Sequence, residues 1–201
     1  MPDSPERAPL RSVCVYCASS RRCDPLHHRA AGELGRHLAD AGLRIVYGGG
    51  AVGSMGALAD AALAAGGEVL GVLPAFMNDL EWGHGDISEL VIVDDMHERK
   101  KRMLAEADAV VALPGGTGTL EELVEALTWK RLGLHAHPIV IVDVEGYYGP
   151  LLEAFERMVT ERFMDERHRE MWSVVERPAD VLEAIRTAPV WDADARGFAV
   201  P

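Results

Sequence analysis

Six short runs of β-branched and aliphatic residues punctuate the chain: SVCVYCA (12–18), LRIVYG (43–48), EVLGVLP (68–74), ELVIVDD (89–95), AVVALP (109–114) and PIVIVDV (138–144). Stretches with helical character lie between them, near 25–41, 54–66, 97–107, 119–132 and 149–162, and a last one lies near 178–187. The runs are nearly continuous in apolar residues, so neither face of such a strand is left for water. Strands of that kind, separated by helices, require a parallel sheet covered on both sides. The expected fold is therefore one doubly wound, Rossmann-like α/β domain over residues 12–188. A disordered lead-in at 1–11 precedes it and a C-terminal tail at 189–201 follows. Ligands are expected at the carboxyl ends of the strands.

The bulk properties exclude several classes of function. A formal net charge of −12 over 201 residues is the wrong sign for binding a nucleic-acid backbone. No apolar run approaches the roughly 20 residues of a membrane span, and the N-terminus MPDSPERAPLR lacks the apolar core of a secretory signal. Cys14, Cys17 and Cys23 are odd in number and form no zinc pattern with later Cys or His pairs. CVYC fits C-x-x-C, but it lies inside a strand-like run rather than at a helix start, so structural, half-buried cysteines are the better reading. A reducing cytoplasm suits all of this.

Three loops at the strand ends carry the chemistry. The first, CASSRR, offers hydroxyls and backbone amides to an anion. The second, in YGGGAVGSMGALADAA, places Gly48, Gly50 and Gly53 in a G-x-G-x-x-G spacing between a strand and a helix. A dinucleotide fingerprint normally follows the first strand and needs an acid at the end of the next one to hold ribose hydroxyls. Here the spacing follows the second strand, and the next ends in GVLP. A different nucleotide approaching this backbone closely is the reading retained. The third loop is PGGTGT. Pro114 ends a buried strand, Gly115, Gly116 and Gly118 let the chain turn sharply, and Thr117 and Thr119 offer hydroxyls where a helix cap is expected. Orphan amides and the positive end of the helix dipole make a seat for phosphate. The G-K-[ST] ending of a triphosphate-binding loop is missing.

Behind this loop, Leu120, Leu123, Val124 and Leu127 share one helical face, and Glu121, Glu122 and Glu125 fall off it. By periodicity these acids form a solvated face, favourably placed near a helix start. A carboxylate about one turn from a bound phosphate is equally placed to meet the attached sugar, and periodicity does not choose between Glu121 and Glu122. The basic cluster HERKKR (97–102) reads as a solvated helix face able to receive a small phosphorylated ligand. Glu81 and His84 lie in NDLEWGHGD, read as a lid-like surface loop rather than a wall of a base pocket.

Taken together, PGGTGTLEE and MHERK closely resemble the paired motifs of the cytokinin-activating nucleoside 5'-monophosphate phosphoribohydrolases, the "Lonely Guy" family. The resemblance extends to VCVYCASS, YGGGAVGSMGALADAAL, GGEVLGVLP, TWKRLGLHAHPIVIVD and GYYGPLL, covering roughly residues 12–163. Such proteins were often labelled lysine decarboxylases, yet no lysine here sits in an evident pyridoxal-phosphate setting.

The resemblance implies removal of the base from AMP or an N6-modified adenosine monophosphate, giving the free base and ribose 5-phosphate without metal or organic cofactor. It puts the catalytic pair on Arg99 and Glu122. Gly116, Thr117, Gly118 and Thr119 are the expected phosphate seat, Ser20, Gly49 and Gly50 are expected to complete the nucleotide pocket, and Lys100 either assists Arg99 or is a solvated surface lysine. Arg99 stays protonated, so it is assigned to orienting substrate or countering charge near the departing base rather than to proton donation. The resemblance points to a homodimer, and TWKRLGLH carries more apolar surface than one exposed helix face should. A non-catalytic nucleotide or molybdenum-cofactor carrier of the same fold is the alternative reading.

Overall fold

A computed structural model describes residues 9–80, 82–191 and 197. Seven strands form one sheet: β1 Ser12–Tyr16, β2 Arg44–Tyr47, β3 Val69–Pro74, β4 Glu89–Val93, β5 Ala109–Ala112, β6 Ile139–Val142 and β7 Ser173–Val175. Their order is β4-β3-β2-β1-β5-β6-β7, and every pairing is parallel. The chain winds outward from β1 in one direction, then jumps back to β5 beside β1 and winds outward in the other. The winding therefore reverses between β1 and β5, the place where an open α/β sheet leaves a crevice at its carboxyl edge.

The helices are α1 Pro25–Asp40, α2 Gly53–Ala64, the single turn α3 Ala75–Asn78, α4 Met96–Ala105, α5 Thr117–Arg131, α6 Gly149–Thr160 and α7 Val181–Thr187. Alternation along the strands splits the core into two layers. Val13, Val15, Ile45, Tyr47 and Val111 pack under α1, α2 and α7 through Leu34, Leu38, Leu58 and Ile185. Cys14, Tyr16, Val46, Val72 and Val110 face α4, α5 and α6 through Met103, Leu123, Leu127 and Phe155. The six expected strands and six expected helices are all present. β7 was not anticipated, because its three residues SVV are too short to show a period and Val174 is exposed.

The segment expected as a tail begins on the body of the fold. Trp191 is buried, and its indole N–H donates to the Lys130 carbonyl at the end of α5 over 2.8 Å. Residues 192–196 and 198–201, and residues 1–8 of the expected lead-in, lie outside the described residues.

Candidate active site

Arg99 and Glu122 come from α4 and α5, which share one face of the sheet but follow strands on either side of the reversal in winding. The start of α4 is fixed by Asp95, whose Oδ1 accepts the amides of His97 at 2.7 Å and Glu98 at 2.8 Å. Those amides hold the exposed Asp95 carboxyl below its ordinary range. Glu98 returns the favour by accepting the Asp94 amide at 2.9 Å. With its first turn pinned in this way, α4 turns Arg99 and Lys100 inward while His97, Glu98, Lys101 and Arg102 stay exposed. HERKKR is thus not uniformly solvated, because its two central cations are buried.

Each nitrogen of the Arg99 guanidinium has a partner in the protein. Nε donates to the Val72 carbonyl of β3 at 3.0 Å, Nη2 to the Gly48 carbonyl beyond β2 at 3.3 Å, and Nη1 to Glu122 Oε1 at 2.6 Å. Gly48 leaves the guanidinium its place: a Cβ on it would lie 2.0 Å from Arg99 Nη2, which would have to shift. Glu122 is 5% exposed, and burial pushes its carboxyl above the usual carboxylate range. The neighbouring Arg99 pulls against that shift without cancelling it.

The burial of Glu122 corrects the face drawn for the helix. Glu122 is buried with Leu123, Ala126 and Leu127, whereas Val124, assigned to the apolar face, is 42% exposed. A charged partner on α4 overrides the hydrophobic pattern. Glu121 is on the outside. It pairs with Lys100 Nζ, which also donates to Glu125 at 3.1 Å. Lys100 thus fastens α4 to α5 one residue away from the Arg99–Glu122 pair.

The PGGTGT loop leads from β5, at the crevice, into α5. The helix begins at Thr117 with Gly116 as its N-cap and no side-chain cap, so the expected hydroxyl cap does not form. Gly116, Thr117 and Gly118 are exposed; Thr119 is buried, with its Oγ1 against Gly115. An uncapped helix start leaves its first amides for a ligand. Glu122 follows Thr117 by five residues, a rise of about 7.5 Å along the helix.

The other two loops share this edge. Tyr16 and Ala112 are in register, and the Leu113 amide donates to the Tyr16 carbonyl at 2.9 Å, which sets CASS beside PGGTGT. Ser20 is exposed, and its Oγ accepts the Arg22 amide at 3.1 Å. Gly53, with φ +65°, presses against the backbone of Ser19 and Ser20, and Met55 donates its amide to the Ala18 carbonyl at 3.1 Å. The first loop therefore covers the start of α2, the place where a dinucleotide's pyrophosphate would sit. Gly49 and Gly50 lie on the strand side of that turn.

The NDLEWGHGD loop is strapped to the same glycine turn. The His84 amide donates to the Gly49 carbonyl at 2.9 Å, the Ala51 amide to the Trp82 carbonyl at 3.2 Å, and Gly50 bridges Gly83. His84 is buried and its Nε2 lies 2.9 Å from Asp60 Oδ1 on α2, so it anchors the loop instead of riding on an open lid. Glu81 lies outside the described residues.

Cys14 and Cys17 are fully buried, and burial, reinforced by the Glu122 charge, pushes both thiols far above their ordinary range. They are structural. Sequence reasoning read Gly48 only as part of the G-x-G-x-x-G spacing, and did not single out the Asp95 cap or the paired tyrosines Tyr147 and Tyr148, whose hydroxyls reach the carbonyls of Gly115 and Leu113. The glycine lay inside a recognised motif and the cap inside DDMHERK, but the reach of the tyrosines depends on how β5 and β6 pair.

Comparison with known proteins gives the family. A family model described as "possible lysine decarboxylase" matches residues 55–185. The chain is 40% identical over 182 residues to a probable cytokinin riboside 5'-monophosphate phosphoribohydrolase of Oryza sativa subsp. japonica, covering 90% of this chain and 79% of that protein. It is 38% identical over 202 residues to a cytokinin riboside 5'-monophosphate phosphoribohydrolase of Arabidopsis thaliana, covering 96% and 93%. Among solved structures, the molybdenum cofactor carrier protein of Chlamydomonas reinhardtii superposes with a TM-score of 0.69 at 20% identity, over 90% of this chain and 98% of that one. That likeness is one of fold alone. The sequence likeness is of another order, and with the Arg99–Glu122 pair set behind PGGTGT it places the chain in the cytokinin riboside 5'-monophosphate phosphoribohydrolase family.

Proposed function

We propose that this protein hydrolyses the N-glycosidic bond of adenosine 5'-monophosphates, including N6-modified ones, releasing the free base and ribose 5-phosphate. The observation that carries this reading is the buried Arg99–Glu122 pair, 2.6 Å apart, set behind an uncapped helix start. The amides of Gly116, Thr117, Gly118 and Thr119 receive the 5'-phosphate, with Ser20 across the crevice and Gly49 and Gly50 lining its far side. A phosphate held there leaves the ribose over Glu122.

Water adds to C1′ as the C1′–N9 bond breaks; the bonding pair leaves with the base, which takes up a proton from solvent in exchange for the one Glu122 removes from the water, and positive charge develops on the sugar as the bond opens. Glu122 stabilises that charge, holds the ribose hydroxyls and takes the proton of the attacking water. Its raised pKa brings it closer to neutral pH, where a base is most effective. Arg99 remains protonated and orients both Glu122 and the substrate. Lys100, one residue on, supplies further positive charge to the same wall while tying α4 to α5.

We assign the protein to the cytoplasm, because its three cysteines are free thiols; among the described residues, no helix is long and apolar enough to cross a membrane. We assign it a homodimeric state on the apolar surface at the end of α5. Leu132 is 43%, Leu134 61% and Phe163 66% exposed there, and Arg131 joins the last to α5 by donating to the Phe163 carbonyl.

Base release from AMP and from isopentenyladenosine monophosphate, with the phosphate-free nucleosides as controls, tests the reading when wild type and Glu122→Gln are run side by side. Release from the monophosphates alone, lost in the variant, is the expected result. Nucleotide binding without release would favour a carrier.

A further inference from the structure

The peptide between Gly115 and Gly116 opens the phosphate seat. Flanked by glycine on both sides, it is among the least constrained peptides in the chain. A planar trans peptide sends its carbonyl and its amide in opposite directions. Whatever holds the Gly115 carbonyl therefore aims the Gly116 N–H. The Tyr147 hydroxyl holds it, donating to that carbonyl at 2.5 Å.

The segment that carries Tyr147 is built to bring it there. After β6, Glu145 and Gly146 take left-handed backbone angles, φ 53° and 72°. Such a conformation is unfavourable for a glutamate and persists only where its surroundings enforce it. The Asp143 amide donates to the Val175 carbonyl at 2.7 Å, and Asp143 Oδ1 accepts the Tyr148 amide at 2.6 Å. Tyr148 is buried and donates to the Leu113 carbonyl at 2.6 Å, anchoring the loop two residues upstream. The Tyr147 ring stands edge-on to Tyr148 at 5.1 Å and to His27 of α1 at 5.7 Å. The hydroxyl is thus fixed by a strained turn, a buried neighbour and a ring from the opposite side of the crevice. Tyr147 itself is 44% exposed, more than a residue kept for the core would be.

We propose that Tyr147 is a positioning residue for the 5'-phosphate. Its hydroxyl fixes the Gly115–Gly116 peptide so that the Gly116 N–H faces the anion, and it serves recognition of phosphorylated nucleosides. This rests on the hydrolase reading for the identity of the anion.

The test is Tyr147→Phe, which keeps the ring against His27 and Tyr148 and removes only the donor. Binding of AMP, ribose 5-phosphate and adenosine is measured by calorimetry with and without Tyr147→Phe in a Glu122→Gln background, which does not consume AMP, and kcat and KM for AMP are measured for Tyr147→Phe and wild type. The variant is expected to lose about tenfold in affinity for AMP and for ribose 5-phosphate alike, the worth of one good hydrogen bond. Adenosine affinity and kcat at saturating AMP stay near their values without the substitution. Unchanged affinity for both phosphates, or an equal loss for adenosine, overturns the proposal. Wild type that binds AMP but releases no adenine would overturn the hydrolase reading alone, and the affinities would still decide the role of Tyr147.

Discussion

Arg99 Nη1 lies 2.6 Å from Glu122 Oε1, and both side chains are almost wholly removed from water. The pair joins two helices that follow strands on opposite sides of the point where the sheet reverses its winding. Removing one partner of such a pair strands the other charge and costs about 3–5 kcal/mol; Glu122→Gln also leaves Arg99 without its counter-charge, but it fills the same volume and keeps an amide oxygen to accept the Arg99 N–H, so it costs less than truncation. Glu122→Gln is therefore expected to fold near normally and to lose on the order of 10²–10⁴ in kcat, the usual contribution of an acid–base group. Glu122→Ala is expected to lose the same activity and to melt markedly lower. Thermal melts and single-turnover base release on the two variants separate the catalytic effect from the structural one; equal melting points would argue that the pair is not buried as described.

The pH dependence follows from the same pair. Burial raises the Glu122 carboxyl, and Arg99 limits the rise. The native state then holds this proton to higher pH than the unfolded chain does. The group's stabilising contribution is greatest below the ordinary carboxylate pKa and falls as pH rises through the folded value. Activity needs the ionised form, so kcat/KM should fall on the acid side along a limb lying above the usual carboxylate range. The substrate phosphate titrates at about pH 6 and shapes that limb as well, but identically in any variant. Arg99→Gln removes the opposing charge and should move the limb further up in whatever activity remains. A limb that stays put or moves down would contradict the assignment of Glu122 as the ionised group.

Much of this architecture was legible in the sequence, because apolar runs and helical stretches specify a parallel sheet through burial alone. The three loops of the candidate site were marked by glycines, serines and threonines at strand ends. What periodicity could not supply was the inward turn of Glu122, which its face on the helix argues against. The resemblance to known motifs selected that residue; the physical reason is an arginine arriving from α4, a contact between residues 23 apart that no local pattern contains. His84 was misread for a similar reason. Its loop is polar in composition, yet its backbone pairs with the glycine turn and its ring meets Asp60. The tyrosines behind the phosphate loop stayed hidden because their value depends on β6 lying beside β5.

Gly48→Ala tests how closely Arg99 must be held. The added Cβ would fall 2.0 Å from Arg99 Nη2 and 3.1 Å from Met55 Cε. Both obstacles are the far ends of flexible side chains, so the backbone can stay while the guanidinium moves. Displacing a catalytic group by about 1 Å can cost about 10²-fold in rate. The variant is expected to keep its melting temperature and AMP affinity and to lose about that factor in kcat. Wild-type kcat in Gly48→Ala would show that the contact with the Gly48 carbonyl plays no part in placing Arg99.

Far from the site, His135 sets a limit on acid stability. It is 7% exposed, its Nε2 is buried with no hydrogen-bond partner among the described residues, and its ring lies 5.2 Å from that of His137. Burial first, then the nearby His137 and Lys130, depress its pKa to about 3. The unfolded chain protonates this histidine below about pH 6.5 and the native state does not. Stability from His135 is thus complete above that pH and drains away as pH falls toward the folded value. At about 1.4 kcal/mol per unit, the loss by pH 5 is about 2 kcal/mol, or roughly 4–8 °C in melting temperature for a domain of this size. His135→Leu has nothing to titrate there, so its melting temperature should fall less between pH 7.5 and 5 by that amount. Parallel falls in variant and wild type would mean that His135 is protonated in the native state after all, with a partner for the buried Nε2.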